Sequence, residues 1–389
     1  MKTTIGIFMC TLMMLSACQP TSKEPAQMAI MAYYVPSAED DALNHLAFDQ
    51  LTHIIFSFTE VIDNEMKFVN PQSADQLRRL VDKKTEYPDL KIMIACGGWG
   101  GSGGFSDMAD TPETRRYFVT SVIDFINLYE LDGLDIDWEY PGLPGADNPH
   151  KPADKENFTA LMKELRQAMD ATGKKLELTF AAAGWERFFH HVEITEVMKY
   201  ANYMNVMTYD LVGGDSPFSG HHTNLGRIEM NHLEGTPAKA FLDSMNIAYS
   251  PRSSEKIISY CIEQGVDARQ IVIGAAFYGR GWLGVPFENE GLYQPTKGVW
   301  QGWASYAKIR ENYENKNGFT RYWDPIAKAP YLYNLQDSVF ISYDDTMSVR
   351  LKTQYAKEMK LGGIMFWQIS LDAPEDGLLD AIYKEAIRK

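Results

Sequence analysis

Residues Leu131–Trp138 read LDGLDIDW, and Glu139, Tyr140 and Pro141 follow directly. In an extended strand successive side chains point to opposite faces, so Asp135, Asp137 and Glu139 share one side while Ile136 and Trp138 pack on the other. An apolar file backed by an acidic one suits a strand between a layer of helices and a polar interior. Three carboxyls in one file cannot all ionise when buried, so at least one is held protonated near neutral pH, as a general acid requires. A calcium loop would set Gly and Asn between its ligands. Here Leu, Ile and Trp interleave the acids, and no metal site is read.

Seven more apolar, β-branched or aromatic runs flank this one: Ala29–Val35, Leu51–Phe58, Leu90–Gly97, Leu176–Ala183, Tyr203–Tyr209, Ile271–Tyr278 and Gly363–Ile369. Segments of helical period, such as Thr114–Tyr129 and Asp154–Ala171, separate them. Eight alternating βα units predict a TIM (β/α)8 barrel, whose chemistry collects at the carboxyl ends of the strands. The gap between Tyr278 and Gly363 exceeds what one crossover helix needs, and Gly284–Phe340 is aromatic-rich with scattered Gly and Pro. It is read as a small α+β insertion between strands seven and eight. The predicted organisation is barrel over 28–282, inserted subdomain over 283–340, and barrel again over 341–389.

The chain has 389 residues, 45% of them hydrophobic, enough to bury a large core. Its 52 acidic against 37 basic residues give a formal charge of -15, which repels nucleic acid. At the start, Lys2 precedes an apolar run from Ile5 to Leu15 that is too short to span a bilayer. Leu15-Ser16-Ala17-Cys18 resembles a bacterial lipobox. The expectation is a lipoprotein signal peptide over 1–17, lipid attachment at Cys18, and a polar tether over 18–27. The chain is thus read as an exported, membrane-anchored bacterial lipoprotein, periplasm-facing or at the cell surface, and monomeric. Cys96 and Cys261 then remain, too few for a disulfide framework.

The stretch Asp132-Gly133-Leu134-Asp135-Ile136-Asp137-Trp138-Glu139 resembles the DGxDxDxE motif of glycoside hydrolase family 18. Ala95-Cys96-Gly97-Gly98-Trp99 is similar to that family's SxGGW, Met207-Thr208-Tyr209-Asp210 to its MTYD, Phe277–Trp282 to FYGRGW, and Gly362–Trp367 to GGxMFW. The insertion is placed like the small insertion domain of many chitinases in this family.

The resemblance implies retaining hydrolysis of β-1,4-linked N-acetylglucosamine polymers, chitin and its oligosaccharides, with no enzymic nucleophile and no cofactor. Glu139 would be the acid and then the base. Asp137 would hold the acetamido N–H, Asp135 would share its proton, and Tyr209 would orient the acetamido oxygen. Asp210 and Met207 would line the pocket and Trp367 would be its floor. Trp99, Tyr33, Phe58, Trp185 and Arg280 are read as subsite or wall residues. Ala95 departs from the pattern: a Ser hydroxyl that would hydrogen-bond to Asp135 is missing, which leaves the pH optimum open. Two other functions stay in view, an endo-β-N-acetylglucosaminidase acting on the N-glycan core and a non-catalytic chitin-binding surface lipoprotein.

Overall fold

All eight expected barrel strands form in the computed structural model, which describes residues 28–36, 43, 45–247 and 249–388. The expected signal peptide, Cys18 and the tether lie outside the described residues. In chain order the first strands are β1 (Ala29–Tyr34), β2 (His53–Ile62), β3 (Glu65–Lys67), β4 (Lys91–Gly97), β5 (Gly133–Asp137), β6 (Glu177–Ala183), β7 (Tyr203–Met207) and β8 (Ile271–Ala276). An inserted group follows: β9 (Tyr278–Leu283), β10 (Gly298–Ser305), β11 (Phe319–Asp324), β12 (Ala329–Asn334) and β13 (Val339–Ser342). The last strand is β14 (Gly363–Trp367). Neighbours run β1-β14-β8-β7-β6-β5-β4-β2, and β1 also pairs with β2 in parallel from Met31↔His53 to Tyr34↔Phe56. The sheet therefore closes into a TIM barrel, with β3 as an antiparallel hairpin on the end of β2.

Period-two alternation sorts the strand residues into two cores. Ile54, Ile94, Ile136, Phe180, Val206, Ile273 and Phe366 join one buried cluster with the surrounding helices. Met31, Tyr33, Ile55, Met93, Ala95, Val272 and Met365 form a second cluster in the barrel interior. Trp138 belongs to the outer core as its register predicts, 2% exposed and stacked on Phe105 with centroids 5.3 Å apart at 13°. Loss of such a ring costs about 3–5 kcal/mol. The helix expected over 114–129 begins earlier, at Pro112–Tyr129, because Thr111 caps it with its side chain and proline suits the first turn. The helix Asp154–Ala171 is as expected.

The inserted sheet has the order β10-β9-β13-β12-β11, antiparallel throughout, with the helix Tyr306–Asn312 between β10 and β11. It extends beyond the expected 283–340 boundary at both ends. The barrel strand stops at Ala276, and Tyr278, after the single intervening Phe277, already opens β9. Tyr278–Leu283 pairs with two strands of the insertion, which gives its backbone groups partners the barrel does not supply.

A further excursion separates β7 from β8 and carries the helices Pro237–Ser244 and Ser254–Glu263. Its Phe218, Ile228, Leu233 and Leu242 bury themselves against Ala327 and Ala329 of the insertion. Neither segment covers its apolar face alone. Below them Lys352 Nζ meets Asp344 Oδ2 at 2.6 Å with both side chains fully buried. The same Asp344 oxygen accepts from Thr223 Oγ1 (2.7 Å) and from the Ala276 N–H (3.0 Å), tying the excursion, β8 and the helix Thr346–Glu358 together. Cys96 and Cys261 are free and buried, and burial pushes both thiols up, away from reactivity. Among the described residues no helix is long and apolar enough to cross a membrane.

Candidate active site

β5 ends at Asp137, so Glu139 stands just past the carboxyl end of the strand, with Asp137 at its tip and Asp135 below. All three are buried: Asp135 is 0% exposed, Asp137 4% and Glu139 8%. Asp135 is surrounded by donors from three other strands. Tyr33 Oη reaches Oδ2 at 2.8 Å, while Thr179 Oγ1 and Asn205 Nδ2 reach Oδ1 at 2.5 and 3.1 Å. Burial pushes this carboxyl up to about 6, and the three donors restrain the rise. Ala95 sits opposite Asp135 in the β4–β5 register. Ala95 offers no hydroxyl there, and the donors to Asp135 are Tyr33, Thr179 and Asn205.

Asp137 Oδ1 is buried and has no hydrogen-bond partner among the described residues. Burial, and then the charges of Glu139 and Asp135, push the Asp137 carboxyl well above its ordinary range. Burial also raises Glu139, to about 7; a hydrogen bond with Tyr140 pulls it down and the Asp210 charge pushes it up. The loop backbone is pinned on both sides of this residue. The Glu139 N–H donates to Ser102 Oγ (2.9 Å), whose hydroxyl lies within reach of Gly98 O and Asp137 O. Asn148 Nδ2 donates to Glu139 O (3.2 Å) and Trp99 O (2.9 Å). Two glycines permit this closeness: a Cβ on Gly97, at φ +115°, would lie 2.1 Å from Asp137 O, and one on Gly98 would lie 2.7 Å from the Phe58 ring.

An aromatic floor lies beside the acids. Trp367, at the end of β14, stacks on Phe58 at 5.5 Å and 21°, with Tyr33 5.7 Å away. Met207, Tyr209 and Tyr278 belong to the same apolar cluster. Burial, followed by the charges of Asp137 and Glu139, holds the Tyr209 phenol protonated and so keeps it a donor. Asp210 takes a left-handed backbone (φ 52°) and accepts Arg280 Nε and Nη2 at 2.7 Å each, a fork-to-fork pair. Burial raises the Asp210 carboxyl, but His222 and Arg280 together hold it far below the usual range, so it is ionised. At the rim, Trp99 is 57% exposed and meets Tyr140 edge-on, as does Trp185 at 5.4 Å.

The arrangement supplies a buried acid whose pKa burial pushes up to about 7, a buried carboxyl oxygen without a partner among the described residues, a neutral phenol, an ionised Asp–Arg pair and a flat apolar floor. The sequence model of glycosyl hydrolases family 18 matches residues 29–372. The chain belongs to this family. It is 38% identical to Chitinase A1 of Niallia circulans over 310 residues, 77% of this chain and 43% of that protein. It is 29% identical to Chitinase B of Serratia marcescens over 385 residues, 86% of this chain and 75% of that one. Among solved structures, a family 18 N-acetylglucosaminidase from Paenibacillus barengoltzii superposes with a TM-score of 0.81 at 36% identity, over 92% of this chain and 99% of that one.

Of the residues singled out in this family 18 sequence, Glu139, Asp137, Asp135, Tyr209, Asp210, Met207, Trp367, Phe58 and Arg280 gather at one end of the barrel. Trp99 and Trp185 stand at its rim. Tyr33 is a correction: it is 2% exposed and donates to Asp135, so it serves the acid file from within and forms no wall of the cleft. The sequence reading missed Thr179 and Asn205, although both occupy inward positions of their strands. It also missed Ser102, Asn148 and His222, whose loop positions carry no periodic signal. Trp303 was overlooked as well, 51% exposed on β10 with its ring centroid 6.3 Å from Tyr278.

Proposed function

We propose that this protein hydrolyses β-1,4-linked N-acetylglucosamine polymers with retention of configuration, using the substrate's own 2-acetamido group as nucleophile. The observation that carries this reading is the pair formed by Glu139, a carboxyl titrating near 7, and Asp137, whose buried Oδ1 lacks a partner. Glu139 protonates the glycosidic oxygen. The acetamido oxygen attacks the anomeric carbon as the bond to the protonated glycosidic oxygen breaks and the leaving sugar departs as an alcohol, giving an oxazolinium ion, and the acetamido N–H provides the donor that Asp137 Oδ1 lacks. Tyr209 donates a hydrogen bond to the acetamido oxygen and holds it in line. Trp367 carries the distorted ring. Glu139, now a carboxylate, takes a proton from water as that water opens the oxazolinium. The names of Chitinase A1 and Chitinase B support chitin as the polymer.

Product analysis on chitin oligomers and on an N-glycoprotein, side by side, tests substrate and bond together. Cleavage of the oligomers with retention, strong inhibition by a thiazoline analogue and slow cleavage of glucosamine polymers are expected. Equal rates on glucosamine and N-acetylglucosamine polymers, or a trapped glycosyl ester on a side chain, would overturn the mechanism. Binding without cleavage would favour the surface lectin. We also propose that the chain is exported and lipid-anchored through Cys18; Cys18→Ala should then release it from membranes or leave it unprocessed.

A further inference from the structure

Behind the rim the electrostatics change sign. The chain carries -15 and its cleft holds four carboxyl groups, yet next to Trp185 lies a cavity of about 260 Å³ lined by Arg187, Arg252 and Lys256. One acid, Glu186, faces them, 3.9 Å from Lys256, so among the described residues two positive charges remain without a counterion. Among the described residues Arg187 makes no ion pair or side-chain hydrogen bond. Arg252 donates a single N–H, to Leu211 O at 3.4 Å, although a guanidinium has five. Both arginines are exposed.

Two aromatic rings, Trp185 and Tyr140, link the cavity to the reacting groups. The Arg252 guanidinium lies over the Trp185 ring at 5.5 Å, Trp185 meets Tyr140 edge-on at 5.4 Å, and Tyr140 follows Glu139 in the chain. Leu211, which Arg252 touches, follows Asp210. A further cation, Lys155, joins Arg187 beside His191. A neutral N-acetylglucosamine polymer offers these guanidinium groups nothing to neutralise. A planar carboxylate matches their fork. The cavity lies just below the roughly 300–1,000 Å³ of small-molecule sites, room for one substituted sugar and too little for a nucleic acid backbone.

We propose that the cleft extends past Trp185 into a cationic subsite, formed by Arg187, Arg252 and Lys256, that receives a carboxylate-bearing sugar of the substrate chain. The proposal rests on the glycan-cleaving function above. The test compares kcat/KM for N-acetylglucosamine oligomers with that for oligomers of the same length carrying 6-O-carboxymethyl groups. At low salt the carboxylated oligomers should be cleaved about tenfold more efficiently, and the advantage should vanish toward 1 M salt, where the screening length is about 3 Å. In Arg187→Gln and Arg252→Gln the ratio should collapse toward one. Calorimetry on Glu139→Gln reads the same preference without turnover. A protein that cleaves neither oligomer therefore sinks the hydrolase function, while the subsite stands or falls on its binding ratio. A ratio of one in the wild type, or a ratio that both arginine variants retain, would overturn the subsite.

Discussion

The Tyr33 hydroxyl and the Asp135 carboxylate, 102 residues apart in the chain, meet at 2.8 Å in the barrel interior. β1 and β5 are not neighbours, so only barrel closure brings them together. Because this donor favours the ionised form of Asp135, Tyr33→Phe should raise that carboxyl above its value of about 6. The acid limb of the pH dependence of kcat/KM should move to higher pH, and Thr179→Val should move it the same way. Each loss should cost about 1 kcal/mol of stability. An unmoved acid limb in both variants would separate Asp135 from the proton cycle.

Glu139→Gln should lower turnover by about 10²–10⁴-fold while leaving oligomer binding nearly intact. The same substitution has a stability consequence of the opposite sense. A free Glu titrates at 4.5 and Glu139 at about 7, so between those values the folded state holds a proton the unfolded chain has released. Stability therefore falls as pH rises through that window, by an amount on the order of 2 kcal/mol. Urea unfolding at pH 5 and pH 8 should show a smaller fall in Glu139→Gln than in the wild type. An equal fall would mean that Glu139 is not the group carrying the raised pKa.

The Asp210 charge raises the Glu139 carboxyl, and Asp210 itself stays ionised beside Arg280. Asp210→Asn removes that charge and keeps the shape. The alkaline limb of kcat/KM, where the acid loses its proton, should accordingly shift to lower pH. A pH profile that drops in height without shifting would assign Asp210 to sugar binding alone.

Lys352→Met leaves Asp344 buried without its counter-charge, which costs about 3–5 kcal/mol. Adding Asp344→Asn should recover part of that loss, since a neutral amide is cheaper to bury than a lone carboxylate. Denaturant unfolding of both variants at neutral pH decides the matter. A loss in Lys352→Met comparable to that of an exposed pair, under about 1 kcal/mol, would show that Asp344 finds other compensation.

The one-dimensional pattern was enough to identify the barrel, because a period of two in LDIDW and its seven counterparts assigns each residue to a face without reference to any partner. Ile136 and Trp138 pack outward and Asp135 inward for that local reason. The acid file was legible for the same reason, and the motif order located Tyr209, Asp210, Arg280 and Trp367 as members of one site. What depends on distant chain segments was not legible. The donors to Asp135 come from β1, β6 and β7, and nothing along β5 announces them. The first strand of the insertion begins at Tyr278 because its hydrogen-bond partners, β10 and β13, lie further along the chain. The values of about 6 for Asp135 and about 7 for Glu139 follow from burial, which local sequence does not measure. The cation cluster beside Trp185 joins Arg187 from the β6 loop to Arg252 and Lys256 from the excursion before β8. Alternation along a strand is written in the chain, whereas the meeting of charges from separate loops exists only once the barrel has closed.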